Sequence, residues 1–185
     1  SLDVARFNAR FEAPQVQVGM PLGDGRALAL HHQGERTRAA IARLSPRDAA
    51  TLGEVERRYC ETVETALLPA LFQPPADSEL RSRLEATPAG RELLAWARQS
   101  PQEVVDGLFT DEAVRSLFLS QFPLPYGVPD DAPGLGLVAA LVLSGAEEYS
   151  FCGGGSHVLA QALWRSILVR RGSAALSEDI SITFR

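Results

Sequence analysis

The chain has 185 residues, 45% of them hydrophobic and 22% charged, and a formal net charge of -5. That length holds one or at most two domains, and the composition buries a real core, which excludes a disordered segment. All 18 basic residues are arginine and the acidic excess is spread along the sequence, so there is no clustered basic face of the kind that binds nucleic acid.

Cys60 and Cys152 lie far apart, with no C-x-x-C or Cys/His metal spacing. Two free, buried thiols in a reducing, cytoplasmic setting are therefore expected, with a single disulfide as the alternative, and no metal site. No signal peptide opens the chain. The longest apolar run, Leu135 to Leu143, is about half of the ~20 residues that a spanning helix needs. A soluble chain follows, with a peripheral membrane contact left open and burial of this run within the protein expected. The sequence starts at Ser1-Leu2-Asp3 and stops inside a strand pattern, as expected of one segment, 1–185, cut from a longer protein.

In chain order, the first element is a hairpin. Gln15 to Met20 alternates polar and apolar, Gly23-Asp24-Gly25 supplies a tight turn, and Arg26 to His31 returns. Ser45-Pro46-Arg47-Asp48 then starts a helix: serine as N-cap, proline in the first turn, an acid three residues on. Leu52, Val55, Tyr59, Val63, Leu67 and Leu71 follow at spacings of three and four, which predicts one long amphipathic helix ending before Pro74-Pro75. Ser100-Pro101-Gln102-Glu103 repeats the capping logic, and Thr87-Pro88 and Thr110-Asp111 open shorter helices. The Pro- and Asp-rich stretch 122–133 reads as a loop. An apolar helix from Gly136 to Glu147 comes next, then Phe151-Cys152-Gly153-Gly154-Gly155, a helix from Ser156 to Arg171 closed by Gly172, and strands at Ala174–Leu176 and Ile180–Phe184. Strands at both ends and helices between them predict an α+β architecture. In it a helical layer rests on a small sheet formed by the N-terminal hairpin and the C-terminal strands.

Candidate chemistry is sparse. Gly134-Leu135-Gly136-Leu137-Val138-Ala139 has the G-x-G-x-x-A form of a dinucleotide turn. It follows a Pro-rich loop instead of a strand, and no acid sits about 20 residues on after a second strand. Its glycines are expected to serve a loop-to-helix junction. His31 and His32 are neighbours at a strand end and face opposite ways, so they do not share a metal. Glu147 and Glu148 diverge on a helix, and no G-x-S-x-G elbow occurs, so no catalytic residue is assigned. Trp96, Trp164, Phe109, Phe118 and Phe122 read as core. Gly153-Gly154-Gly155-Ser156-His157 opens a helix whose free N–H groups suit an anion. The same glycines would equally let a ligand or strand approach closely.

From Phe151 onward the sequence resembles the phytoene-desaturase and amine-oxidase flavoproteins. Phe151, Gly154, Gly155, Leu159, Ala162 and Leu163 fall in register with a glycine-turn-and-helix pattern of that group. Gly172 then ends the helix, and Ile180 takes the place of a valine in a following strand. Cys152 stands where proline is common and Ser156 where methionine is common. The resemblance implies the substrate-domain and helical-cap portion of an FAD-dependent oxidoreductase that dehydrogenates a small apolar substrate by hydride transfer to flavin. It places Ile180 near the FAD adenine and Gly154, Gly155 and Ser156 on the substrate side. It also implies flanking FAD-binding segments that these residues lack, so the chain alone is expected to be inactive. A stand-alone helical module that binds an apolar ligand or a partner protein is the alternative, and a cofactor-free paralogue is a third reading.

Overall fold

The computed structural model describes residues 4–145 and 150–169. The chain divides into two compact units, Gln15–Tyr149 and, separately, Ser1–Pro14 together with Ser150–Arg185. Both are built from helices and short antiparallel strands, which makes the class α+β.

The larger unit opens with the expected hairpin, here β2 (Val16–Pro21) and β3 (Ala27–His31), preceded in the chain by β1 (Phe11–Glu12). Met20 faces Leu28 and Pro21 faces Ala27, with an irregularity between Val16 and Val18. Gly25 takes φ +84° in the turn, and the Asp24 carboxylate accepts from the Arg26 N–H at 3.0 Å. The alternation buries Leu28, which is 1% exposed. Helix α1 (Gly34–Ala42) follows. It is tied to the end of β3 by Thr37, whose hydroxyl accepts from the His31 N–H at 2.9 Å.

Helix α2 (Pro46–Thr62) starts where the serine cap predicts, with Ser45 Oγ accepting from the Asp48 N–H at 3.2 Å. The long helix then departs from expectation. Residues Val63–Leu67 form a π-helical turn before α3 (Leu68–Phe72). Pro69 has no N–H to donate to the carbonyl four residues back, so a widened turn ahead of it costs little. The extra residue rotates the apolar stripe. Val63 and Leu67 stay buried, while Leu71 is 55% exposed and Phe72 84%.

Helices α4 (Asp77–Glu85), α5 (Pro88–Trp96), α6 (Pro101–Leu108) and α7 (Glu112–Leu119) complete the layer. Three of them carry the side-chain caps the sequence announces. Thr87 Oγ1 accepts from Gly90 N at 3.0 Å. Ser100 and Glu103 form a reciprocal capping box, and Asp111 accepts from Ala113 N and Val114 N. The stretch read as a loop contains one helical turn, α8 (Pro123–Tyr126), which Gly127 ends at φ +63°; proline at its first position presets the helical φ. Helix α9 (Leu137–Leu143) is apolar and buries Ala139, Ala140, Leu141 and Leu143. Phe109, Phe118 and Phe122 are core as expected, with the first two rings stacked at 5.0 Å.

In the smaller unit, a 3-10 turn (Ala5–Phe7) leads into β1, which pairs antiparallel with β4 (Phe151–Cys152). Helix α10 (Ser156–Val169) packs on that turn. Ala162 and Ser166 are its buried positions, while Ile167, Leu168 and Val169 are 42%, 49% and 61% exposed. The strands expected at 174–176 and 180–184, and the Gly172 helix end, lie outside the described residues. Among the described residues the hairpin pairs with itself alone, in a two-stranded sheet, and β1–β4 is a second.

Candidate functional site

Gly154, Gly155 and Ser156 stand together at an exposed turn between β4 and α10. The Gly153 N–H donates to the Arg10 carbonyl at 2.7 Å and fixes the ladder end. Gly154 and Gly155 take φ +82° and +96°, a region costly to residues with a side chain. A Cβ on Gly154 would come 2.9 Å from Val158 Cγ2. The glycines are thus needed to turn the chain from strand into helix. Ile180, expected near a cofactor, lies outside the described residues.

The G-x-G-x-x-A stretch has a structural use. The N–H groups of Gly134 and Gly136 both donate to the Gln99 carbonyl, at 3.1 and 2.9 Å. These contacts seat the start of α9 on the end of α5, as a loop-to-helix junction requires. With both glycines engaged in this way, the stretch offers no phosphate-binding turn.

The larger unit carries a cleft of about 580 Å³ bounded by β3, α1, α2 and the ends of α7 and α9. Leu30, Leu52, Phe118 and Leu141 give it apolar walls, and Arg38 and Glu56 meet inside it as an ion pair. The two side chains are 33% and 18% exposed. Burial pushes the Glu56 carboxyl above the usual carboxylate range, against the opposing pull of Arg38. Two glycines make room for the pair: a Cβ on Gly34 would lie 3.2 Å from Glu56 Oε1 and one on Gly53 3.2 Å from Arg38 Cδ, while one on Gly145 would meet Glu56 Cγ at an ordinary 3.6 Å. His31 also lines the cleft, and its buried Nδ1 has no hydrogen-bond partner. Among the described residues no group of histidine, cysteine or acidic side chains could hold a metal ion.

The reading from sequence missed Arg38 and Glu56, which lie 18 positions apart on different helices, beyond any local pattern. One trace was available. Gly53 interrupts the long helix α2, where glycine costs about 1 kcal/mol relative to alanine, and such a glycine needs a packing reason. Here that reason is the Arg38 stem.

Two other polar clusters are structural. Asp48 is fully buried; its carboxylate accepts from Thr110 N at 3.1 Å, Thr110 Oγ1 at 3.0 Å and Asp111 N at 2.8 Å. It fastens the start of α2 to the α6–α7 junction. On the outer face of α2, Glu92 accepts from Tyr59 Oη at 2.8 Å and from both Nε and Nη2 of Arg58. Burial, then the Glu92 hydrogen bond, pushes the Tyr59 phenol up to about 12. At neutral pH it stays protonated and serves as a donor to Glu92, with its ring against Trp96 at 5.0 Å.

Among the described residues no helix is long and apolar enough to cross a membrane. No family model and no solved structure matches the chain. The chain is similar to one of the subunits of limonene dehydrogenase from Castellaniella defragrans, with 23% identity over 154 residues. The match takes in 83% of this chain but 28% of that protein. The similarity is therefore to part of a dehydrogenase component.

Proposed function

We propose that this chain is the substrate-domain and helical-cap portion of an FAD-dependent oxidoreductase that removes hydrogen from an apolar substrate. The observation that carries the reading is the similarity, along 83% of the chain, to a component of a dehydrogenase. That protein's name specifies a hydrocarbon, and a hydrocarbon gives a protein few groups to hold except through apolar surface. The glycine-turn pattern at Phe151–Leu163 and its likeness to the phytoene-desaturase flavoproteins support the same direction.

In this reading Gly154, Gly155 and Ser156 face the substrate and Ile180 approaches the FAD adenine. The flavin would supply the redox chemistry, accepting a hydride, while the protein supplies binding, orientation and exclusion of water. The rest of the flavin site would belong to sequence corresponding to the other part of the relative, of which this chain matches 28%.

The test is anaerobic reduction of the flavin in the polypeptide encoded by the uninterrupted reading frame that contains this chain. Limonene and a panel of other unoxygenated hydrocarbons are mixed with it, and the visible flavin band is followed. Bleaching by at least one hydrocarbon, with appearance of its dehydrogenated product, is expected. A flavin that every hydrocarbon leaves oxidised, but that amines or alcohols bleach, would sink the assignment of an apolar substrate.

A further inference from the structure

We propose that the cleft between β3, α1, α2 and the ends of α7 and α9 is a binding site for a small monocarboxylate with an apolar body, with Arg38 as the anchor of its carboxylate. The inference stands on the larger unit alone and does not depend on the redox reading.

Size comes first. A volume of about 580 Å³ falls within the roughly 300–1,000 Å³ of small-molecule sites, which pair apolar walls with a few placed polar groups. Leu30, Leu52, Phe118 and Leu141 provide the walls.

The polar groups favour an anionic head. Among the described residues, the charged side chains lining the cleft are Arg38, Arg57 and Glu56, with His31 and His32 beside them. Arg57 is 72% exposed and already paired with Glu54. Arg38 is the inner cation. A guanidinium has five N–H donors in a planar fork, and Arg38 spends one nitrogen, Nη1, on Glu56. Arg58 on the same helix layer gives two nitrogens to its single acid. The remaining donors of Arg38 sit on a side chain that is 33% exposed, so they stay open to a ligand that enters the cleft. An arginine fork can hold one carboxylate on each edge, and its shape matches carboxylate better than any neutral oxygen. Glu56 on one edge leaves the other for a ligand. His31 lines the same wall. The glycines at 34 and 53 leave room for this arrangement, since a Cβ at either would come 3.2 Å from the Glu56 or Arg38 side chain.

Octanoate is the probe, with octanol and octylamine as neutral and cationic counterparts of the same apolar body. Calorimetric titration into the purified chain should show one-site binding of octanoate, with octanol weaker by on the order of tenfold or more, the usual worth of a charge-assisted hydrogen bond. Arg38→Gln should abolish that preference and Arg57→Gln should leave it intact. Because Arg38→Gln leaves Glu56 without its partner, a second readout uses the unaltered chain. The amide resonances of Gly34, Gly53 and Gly145 should shift on adding octanoate. Equal affinity for octanol and octanoate, no binding of any probe, or shifts confined to residues away from the cleft would each overturn the proposal.

Discussion

Asp48→Asn should lower the unfolding free energy by roughly 3 kcal/mol, the scale of breaking hydrogen bonds to a buried charged acceptor. The Asp48 carboxylate collects the N–H groups of Thr110 and Asp111 and the Thr110 hydroxyl, and it does so with no exposure to water. Asparagine keeps one acceptor oxygen but turns an NH2 group toward donors. At least one backbone N–H is then left buried and unpaired. Asp111 in turn caps α7 through Ala113 N and Val114 N, so loosening Asp48 disturbs that cap as well.

The same site sets a pH dependence. Burial acts to raise the Asp48 carboxyl, but the N–H groups of Asp111 and Thr110 and the hydroxyls of Thr110 and Ser45 outweigh it, and the net direction is down. A depressed carboxyl contributes stability that is present above the unfolded value of about 3.9 and lost as pH falls through the folded one. Glu56, raised by burial, works in the opposite sense: its protonation favours the folded state. The gap between wild type and Asp48→Asn should therefore be widest near neutral pH and shrink below about pH 4. Urea unfolding at several pH values measures it. A loss under about 0.5 kcal/mol at neutral pH, the range of ordinary surface changes, would show that Asp48 does not fasten the fold.

Gly136→Ala should cost about 2–3 kcal/mol through overpacking. An added Cβ would penetrate the Trp96 carbonyl oxygen and lie 3.0 Å from that of Gln99. Neither carbonyl can swing away freely. The Trp96 oxygen accepts from Gln99 N at 2.9 Å, and the Gln99 oxygen accepts from Gly134 and Gly136. Gly134→Ala makes a useful contrast. It has space, with its nearest neighbour 3.9 Å away, but its φ of +82° imposes backbone strain of roughly 1–2 kcal/mol. Thermal unfolding should rank Gly136→Ala below Gly134→Ala, and the reverse order would mean that the α5–α9 contact is looser than its geometry.

The local elements were legible because their signals are local. A turn built on Asp24-Gly25, the serine and threonine caps at 45, 87 and 100, and the apolar spacing of Leu52, Val55 and Tyr59 each act within a few residues. The π turn at Val63–Leu67 was hidden because Leu67 and Leu71 continue the helical spacing and Pro69 alone announces the break. The β1–β4 pair was hidden for another reason. Two-residue strands far apart in the chain carry no period, and Phe11↔Cys152 is set by tertiary packing. The cleft is the extreme case: Arg38 and Glu56 look like ordinary surface charges on two amphipathic helices, and only the glycines around them mark the place where the helices approach. The glycine turn was legible as a turn, while its placement on a substrate side rests on the resemblance.

Flavin content tests most directly the proposed place of these residues in a flavoprotein. The chain and the polypeptide encoded by its uninterrupted reading frame are purified side by side, denatured, and the released chromophore is identified and counted by chromatography. The account predicts FAD close to one per longer polypeptide and no stoichiometric flavin on the chain alone. A longer polypeptide without flavin, or full occupancy of the chain by itself, would contradict it.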